Sequence, residues 1–220
     1  MRAFNGEQAD PAYKEPECIS SPNFHGSAHR GCYDLSPMES YQGQLLISAP
    51  TLRDSNFFKS VVLLVQHNEQ GALGVILNRP IELTIEDAWP QISESPCNVE
   101  GVLYQGGPCP GPLMVIHTDS EQSQMQVMDG IYFNTDKDSI EQLVSKESGP
   151  LKFFVNYAGW TAGQLEDEIS QGGWLVTPAG AAQIFSSSDE LWTDVMRIAS
   201  RRARLSGIDP KLIPDDPSVN

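Results

Sequence analysis

Between Ser60 and Asn78 the chain reads SVVLLVQHNEQGALGVILN, two unbroken apolar runs on either side of five turn-forming residues. Runs of this kind lack the alternation of a strand with one wet face, so both faces of each must be covered. The side chains of His67-Asn68-Glu69-Gln70-Gly71 bond their own backbone, which predicts an antiparallel hairpin with strands over 60–66 and 72–78. Gly74 inside the second strand implies a bulge or a close backbone approach.

A second stretch, NYAGWTAGQLEDE over 156–168, joins a strand to a helix. Residues 151–157 (LKFFVNY) are dense in aromatic and branched apolar side chains, as a buried strand requires, and Ala158-Gly159 is expected to end it. Thr161 and Gln164 have the spacing of a capping box, and Glu166, Asp167 and Glu168 suit the positive end of the helix that follows. The free amides at that start could hold an anion, although capping alone accounts for them at most helix starts.

Around these stretches, strands are expected over 44–49, 101–105, 113–117, 124–128, 130–133 and 174–177. Residues 106–112 (GGPCPGP) are too rich in glycine and proline for a ladder, and Arg79-Pro80 closes the second hairpin strand. Helices are expected from Thr84 to Trp89 and from Thr135 to Glu147, the latter burying Ile140, Leu143 and Val144. Pro178 to Phe185 makes one or two helical turns. The longest helix runs from Ser187 to Arg204, opened by a Ser187/Glu190 capping box. Composition shifts divide the chain into an extension over 1–41, expected to be poorly ordered, a folded domain over 42–206 and an acidic proline-containing tail over 207–220. Some 180 residues suit one domain.

A formal net charge of −15 repels polyanions, so nucleic acid is not expected as a partner without help from another protein. Arg197, Arg201, Arg202 and Arg204 cluster at the end of the last helix, where cations stabilise a C-terminus without any nucleic acid. No apolar run is long enough to span a membrane, and the first forty residues hold no signal-like stretch, which leaves the cytoplasm as the expected compartment and free thiols as the expected state of the four cysteines. Cys18, His25, His29 and Cys32 are zinc-type ligands, but their spacing fits no common zinc module, and neither metal nor cofactor is expected. The nucleophile elbow, the P-loop, the dinucleotide fingerprint and the H-E-x-x-H motif are all absent.

Taken together, GQLLISAP at 43–50, FFKSVVLLVQHNEQGALGVILNRP at 57–80, YQGGP at 104–108, VIH at 115–117 and YAGWTAGQLEDEI at 157–169 resemble the YqgE/AlgH family of bacterial proteins. The resemblance covers residues 42–205; the N-terminal extension and the Cys109-Pro110 pair after the GGP turn depart from the pattern. It implies a single α+β domain with a mixed, bifurcated sheet bent into a partial barrel and flanked by helices. Its members are described as uncharacterised or as candidate transcriptional regulators.

The polar residues at matching positions are His67, Asn68, Asn78, Arg79, His117, Tyr157, Trp160, Gln164 and Glu166, at strand ends and turns where scaffolds present function. Arg79 ends a buried strand and needs either an internal carboxylate, Glu166 or Glu168, or an anionic ligand. The expectation is a non-catalytic ligand-binding or regulatory module. In it, Asn78-Arg79, Gly106-Gly107 and Tyr157 to Gln164 form a concave surface for a small anionic ligand or a protein partner. The alternative is an enzyme acting on a small anionic substrate, with His67 or His117 and Glu166 as its acid/base pair.

Overall fold

The computed structural model describes residues 40–52, 54–146 and 149–205, the last four of these by backbone alone. The extension, the tail, the Cys18, His25, His29 and Cys32 group, and the Arg202 and Arg204 side chains lie outside that description. Ten strands form one sheet: β1 (Gln44–Ser48), β2 (Val61–Asn68), β3 (Gly71–Ile76), β4 (Pro80–Thr84), β5 (Val102–Gln105), β6 (Cys109–His117), β7 (Met125–Met128), β8 (Ile131–Asn134), β9 (Lys152–Thr161) and β10 (Trp174–Pro178). Five α-helices accompany them: α1 (Ile85–Ala88), α2 (Lys137–Ser145), α3 (Gln164–Ser170), α4 (Ala181–Ile184) and α5 (Leu191–Leu205). The main path runs β10-β1-β2-β3-β9-β6-β8-β7, with β4 hung on β5 and β5 on β9.

The long strand β9 carries the fork. Its last part, Ala158 to Thr161, pairs antiparallel with β3, while Phe153 to Val155 pairs parallel with β5. Along its other side β6 pairs antiparallel, from Cys109 opposite Tyr157 to Ile116 opposite Lys152. The mixed, bifurcated sheet curls into a half-barrel, and Gln42 reaches across to donate from its side-chain amide to the backbone of Gln126 in β7 at 3.0 Å.

Three apolar clusters hold this sheet. The inner face takes α5, whose Leu191, Trp192, Val195, Met196 and Ala199 pack with Leu45, Leu63, Val75, Met114 and Phe154. Outside the β1–β3 half, Leu165 of α3 packs with Leu46, Phe57, Leu64, Trp160 and Trp174. Outside the β5–β6 half, Ile140, Leu143 and Val144 of α2 meet Trp89, Val115 and Phe153. Each buried side chain of this size contributes about 1.5–3 kcal/mol, and the unbroken runs in β2 and β3 follow from having a cluster on either side.

Several expectations change. The hairpin forms, but β2 extends to Asn68 and the irregularity falls between Leu64 and Gln66 of β2. Gly74 instead permits close approach, since a Cβ there would lie 2.6 Å from Val62 Cγ1. The chain after Arg79 continues as β4, which Pro80 can enter because it begins an edge strand. Cys109 to Pro112, expected to be outside any ladder, opens β6; a register shift between Cys109 and Leu113 absorbs the prolines.

Ala158-Gly159 does not end β9, because β3 still offers partners as far as Thr161. Consequently α3 starts at Gln164 behind Gly163 at φ 77°, and Thr161 and Gln164 meet as the capping-box spacing predicts: Gln164 Oε1 accepts the Thr161 backbone N–H at 3.0 Å. The last helix begins at Leu191, with Ser188 Oγ accepting the Glu190 N–H at 3.1 Å in place of the Ser187/Glu190 box. Cys97 is free, but Cys109 is disulfide-bonded, which corrects the expectation of free thiols at that position. The bond depends on a second cysteine coming within reach, which cysteine count cannot reveal.

Candidate functional site

The chain returns to one neighbourhood at the C-terminal end of β9, and there the polar side chains partner one another. His67, almost completely buried on β2, accepts the Tyr41 backbone N–H on Nδ1 at 3.0 Å. Its proton therefore sits on Nε2, which donates to Glu166 Oε1 at 2.8 Å. Two residues further along α3, Glu168 Oε2 accepts the indole N–H of Trp160 at 3.0 Å and of Trp174 at 2.8 Å. Its Oε1 accepts the Gln164 side-chain amide at 3.0 Å. Phe57 stacks on Trp160 and meets Trp174 edge-on, closing the aromatic box over the carboxylate. His67, Trp160, Gln164 and Glu166 are thus brought together, tying the start of β1, the β2 end, β9 and β10 to one helix.

Gly106, Gly107 and Tyr157 meet at the fork, about 10 Å back along β9 from Trp160 at the usual strand rise. A Cβ on Gly106 would lie 2.2 Å from the Asn156 carbonyl oxygen, and one on Gly107 would lie 2.2 Å from the Tyr157 carbonyl carbon. The glycines exist for backbone contact, which fills the space the expected concave surface needed. Asn156, at φ 63°, takes the left-handed turn that redirects β9 between its two sets of partners, and its Oδ1 accepts the Gly111 N–H at 3.1 Å.

Asn78 and Arg79 face elsewhere and act as a clamp on the segment entering β2. Asn78 Oδ1 accepts the Val61 N–H at 2.9 Å and its amide donates to the Lys59 carbonyl at 2.8 Å, while Arg79 Nη2 donates to the Phe58 carbonyl at 2.9 Å. The expected ion pair with Glu166 or Glu168 does not form: Glu166 is on His67, and Glu168 is under the indoles. Burial lowers the affinity of the half-buried guanidinium for its proton, and the charge of Asp54 raises it again.

His117 lies apart, at the end of β6 on the α2 side. It is fully buried, both ring nitrogens lack a hydrogen-bond partner among the described residues, and its ring is 5.9 Å from that of Tyr132. Burial pushes its pKa down, with Asp119, through its charge and its backbone, pulling the other way.

Sequence reasoning passed over Lys152. Only 4 % exposed, it enters the inner cluster from β9, opposite Ile116. Its Nζ donates to the Ser186 carbonyl and stands 4.1 Å from the centroid of the Tyr104 ring. With no carboxylate partner among the described residues, its pKa is lowered by burial to about 8. The signal was visible: a lysine one position into an otherwise apolar strand, two residues from Phe154 and hence on its face. Among the described residues no group of three or more His, Cys, Asp and Glu side chains could hold a metal ion, and no helix is long and apolar enough to cross a membrane.

A family model described as AlgH-like matches residues 45–203. A UPF0301 protein of Streptomyces avermitilis is 35 % identical over 201 residues, covering 84 % of this chain and 98 % of the relative. One from Chlorobium chlorochromatii is 34 % identical over 183 residues, covering 80 % and 92 %. Among solved structures, the AlgH protein of Pseudomonas aeruginosa is similar with a TM-score of 0.61 at 28 % identity, covering 86 % of this chain and all of that one.

Proposed function

From the premise that the chain belongs to the AlgH-like family, we propose that it is a non-catalytic ligand-binding or regulatory module. The observation that carries this reading is the state of the best acid/base pair. A general base needs a free lone pair within reach of a substrate proton. In His67 the Nδ1 lone pair is held by the Tyr41 amide and the Nε2 proton by Glu166. The other histidine at a matching position, His117, is sealed in the core. Glu166 and Glu168 of α3 are bonded to an imidazole and to indoles, as expected of side chains that fix a scaffold.

Incubation of the full chain with a small-molecule extract, read by mass spectrometry of the free and retained fractions, tests this. The expected result is retention of one or a few compounds with no protein-dependent new mass. Time-dependent conversion that disappears in Glu166→Gln would overturn the reading and restore the enzyme alternative.

A further inference from the structure

The binding reading leaves open where a ligand sits, and the clamp at Arg79 answers it. Beside that clamp lies a recess of about 350 Å³ lined by Leu52, Asp54, Ser55 and Phe58. Its volume falls in the range of roughly 300–1,000 Å³ usual for small-molecule sites. Arg79 adjoins it through two of its lining residues: one N–H is bonded to the carbonyl of Phe58, and Asp54 is the acid whose charge reaches it. A guanidinium offers five donors in a planar fork, and those left over here have no partner among the described residues. Among the described residues no carboxylate comes within ion-pair distance of it, and Asp54 Oδ1 is already accepting the Asn56 N–H at 2.8 Å.

The other wall is equally unusual. Phe58 leaves 51 % of its surface exposed, and the Lys59 ammonium stands 5.5 Å from its ring centroid. Lys59 itself holds φ at 50°, a left-handed conformation that a non-glycine residue keeps only when the surroundings enforce it. Asn78 supplies that enforcement through the Lys59 carbonyl. In a chain of net charge −15, one exposed aromatic residue next to a recess therefore carries a lysine over its ring and an arginine on its main-chain carbonyl.

We propose that this recess binds a small molecule carrying an oxyanion, carboxylate or phosphate, on a flat apolar body. The oxyanion meets the free edge of Arg79, and the body lies on Phe58. An oxyanion supplies the compensation that Asp54 gives the guanidinium only in part, and bidentate geometry is what arginine matches and lysine does not. This rests on the binding-module reading and places its ligand away from the fork.

Titration calorimetry of the full chain with phenyl phosphate, benzoate and inorganic phosphate tests it, the first two separating phosphate from carboxylate preference. Saturable binding of at least one aromatic probe is expected. Arg79→Lys and Ser55→Glu should each weaken it by at least about tenfold, and Phe58→Ala should lower it toward the level of inorganic phosphate. Ser55 is exposed and outside the clamp, so Ser55→Glu remains informative if Arg79→Lys folds poorly. Absence of saturable binding for all three probes at millimolar concentration, or affinities unmoved by Ser55→Glu and Phe58→Ala, overturns the site. A retained compound that binds the variants as tightly as the wild type removes this site but leaves the binding-module reading standing, whereas turnover removes that reading.

Discussion

The two ends of β9 treat buried polar groups in opposite ways. At Trp160 and Thr161, by α3, indoles, carboxylates, an amide and an imidazole occupy one another's hydrogen-bonding positions. At Lys152, a buried ammonium has one carbonyl and one aromatic face, and across the sheet His117 has neither nitrogen bonded. The paired end is the wetter one, with Gln164, Glu166 and Glu168 only half-buried while Lys152 and His117 are almost completely buried, so the drier end is also the one with fewer partners. The paired end gains specificity, because only one arrangement of α3 on the sheet satisfies every member, whereas the underpaired end acquires a dependence on pH.

The largest expected effect breaks the paired end. Glu168→Leu leaves two buried indole donors without an acceptor and should destabilise the fold by about 3 kcal/mol, given about 1–3 kcal/mol for each orphaned group. Glu168→Gln keeps a carbonyl acceptor and should cost about 1 kcal/mol, the difference between a charged and a neutral hydrogen bond. Urea unfolding followed by tryptophan fluorescence reads both. Equal losses in the two variants would mean that packing, and not the acceptor, holds the box.

A somewhat smaller effect sharpens the contrast at the other end. Lys152 has its pKa lowered from 10.5 to about 8, so above pH 8 the folded state has released a proton that the unfolded chain still holds. The unfolded state then binds more protons, and stability must rise with pH through that window, by about 2–3 kcal/mol at most. Tyr104 limits the gain: burial, then the charge of Asp189, raise its pKa, so stability falls again once an unfolded tyrosine would ionise near pH 10. Chemical denaturation from pH 7.5 to 9.5 should show the rise in wild type and not in Lys152→Met; parallel curves would mean the amine is effectively paired.

How far these ends were legible in the sequence follows the same division. The hairpin could be read because apolar runs and turn residues act locally, whereas the partial barrel with its flanking helices came from the resemblance of the motifs to the family. That His67 and Glu166 belong together was also within reach, both lying in motifs that converge. The fork was not legible: glycines at 106 and 107 look the same whether they approach a ligand or the backbone of Asn156 and Tyr157. Arg79 was expected beside α3 because it ends β3, but β3 meets β9 through its first residues, Gly71 to Gly74, which leaves Arg79 at the opposite end. Only pairing direction and register decide that, and neither is carried by residue type.

The smallest effect tests whether His117 is truly without partners. A desolvated imidazole whose pKa is pushed below its ordinary 6.5 stays neutral when folded, while in the unfolded chain it takes up a proton near that ordinary value. Below pH 6.5 the unfolded state therefore binds more protons, so the contribution of this group is fully present above that pH and declines as pH falls toward the folded value. His117→Leu removes the linkage along with two polar atoms that have no partner among the described residues, and the branched leucine differs in shape from the flat ring, so some packing is lost in exchange. The variant should lie within about 1 kcal/mol of wild type at pH 8 and gain on it by about 1 kcal/mol at pH 5. His67 provides the internal control, since removing it strands the Tyr41 amide and Glu166 and should destabilise at both pH values. Should His117→Leu instead lose stability by the same amount at pH 5 and pH 8, the ring would be acting by shape alone, and the contrast between the two ends of β9 would reduce to packing.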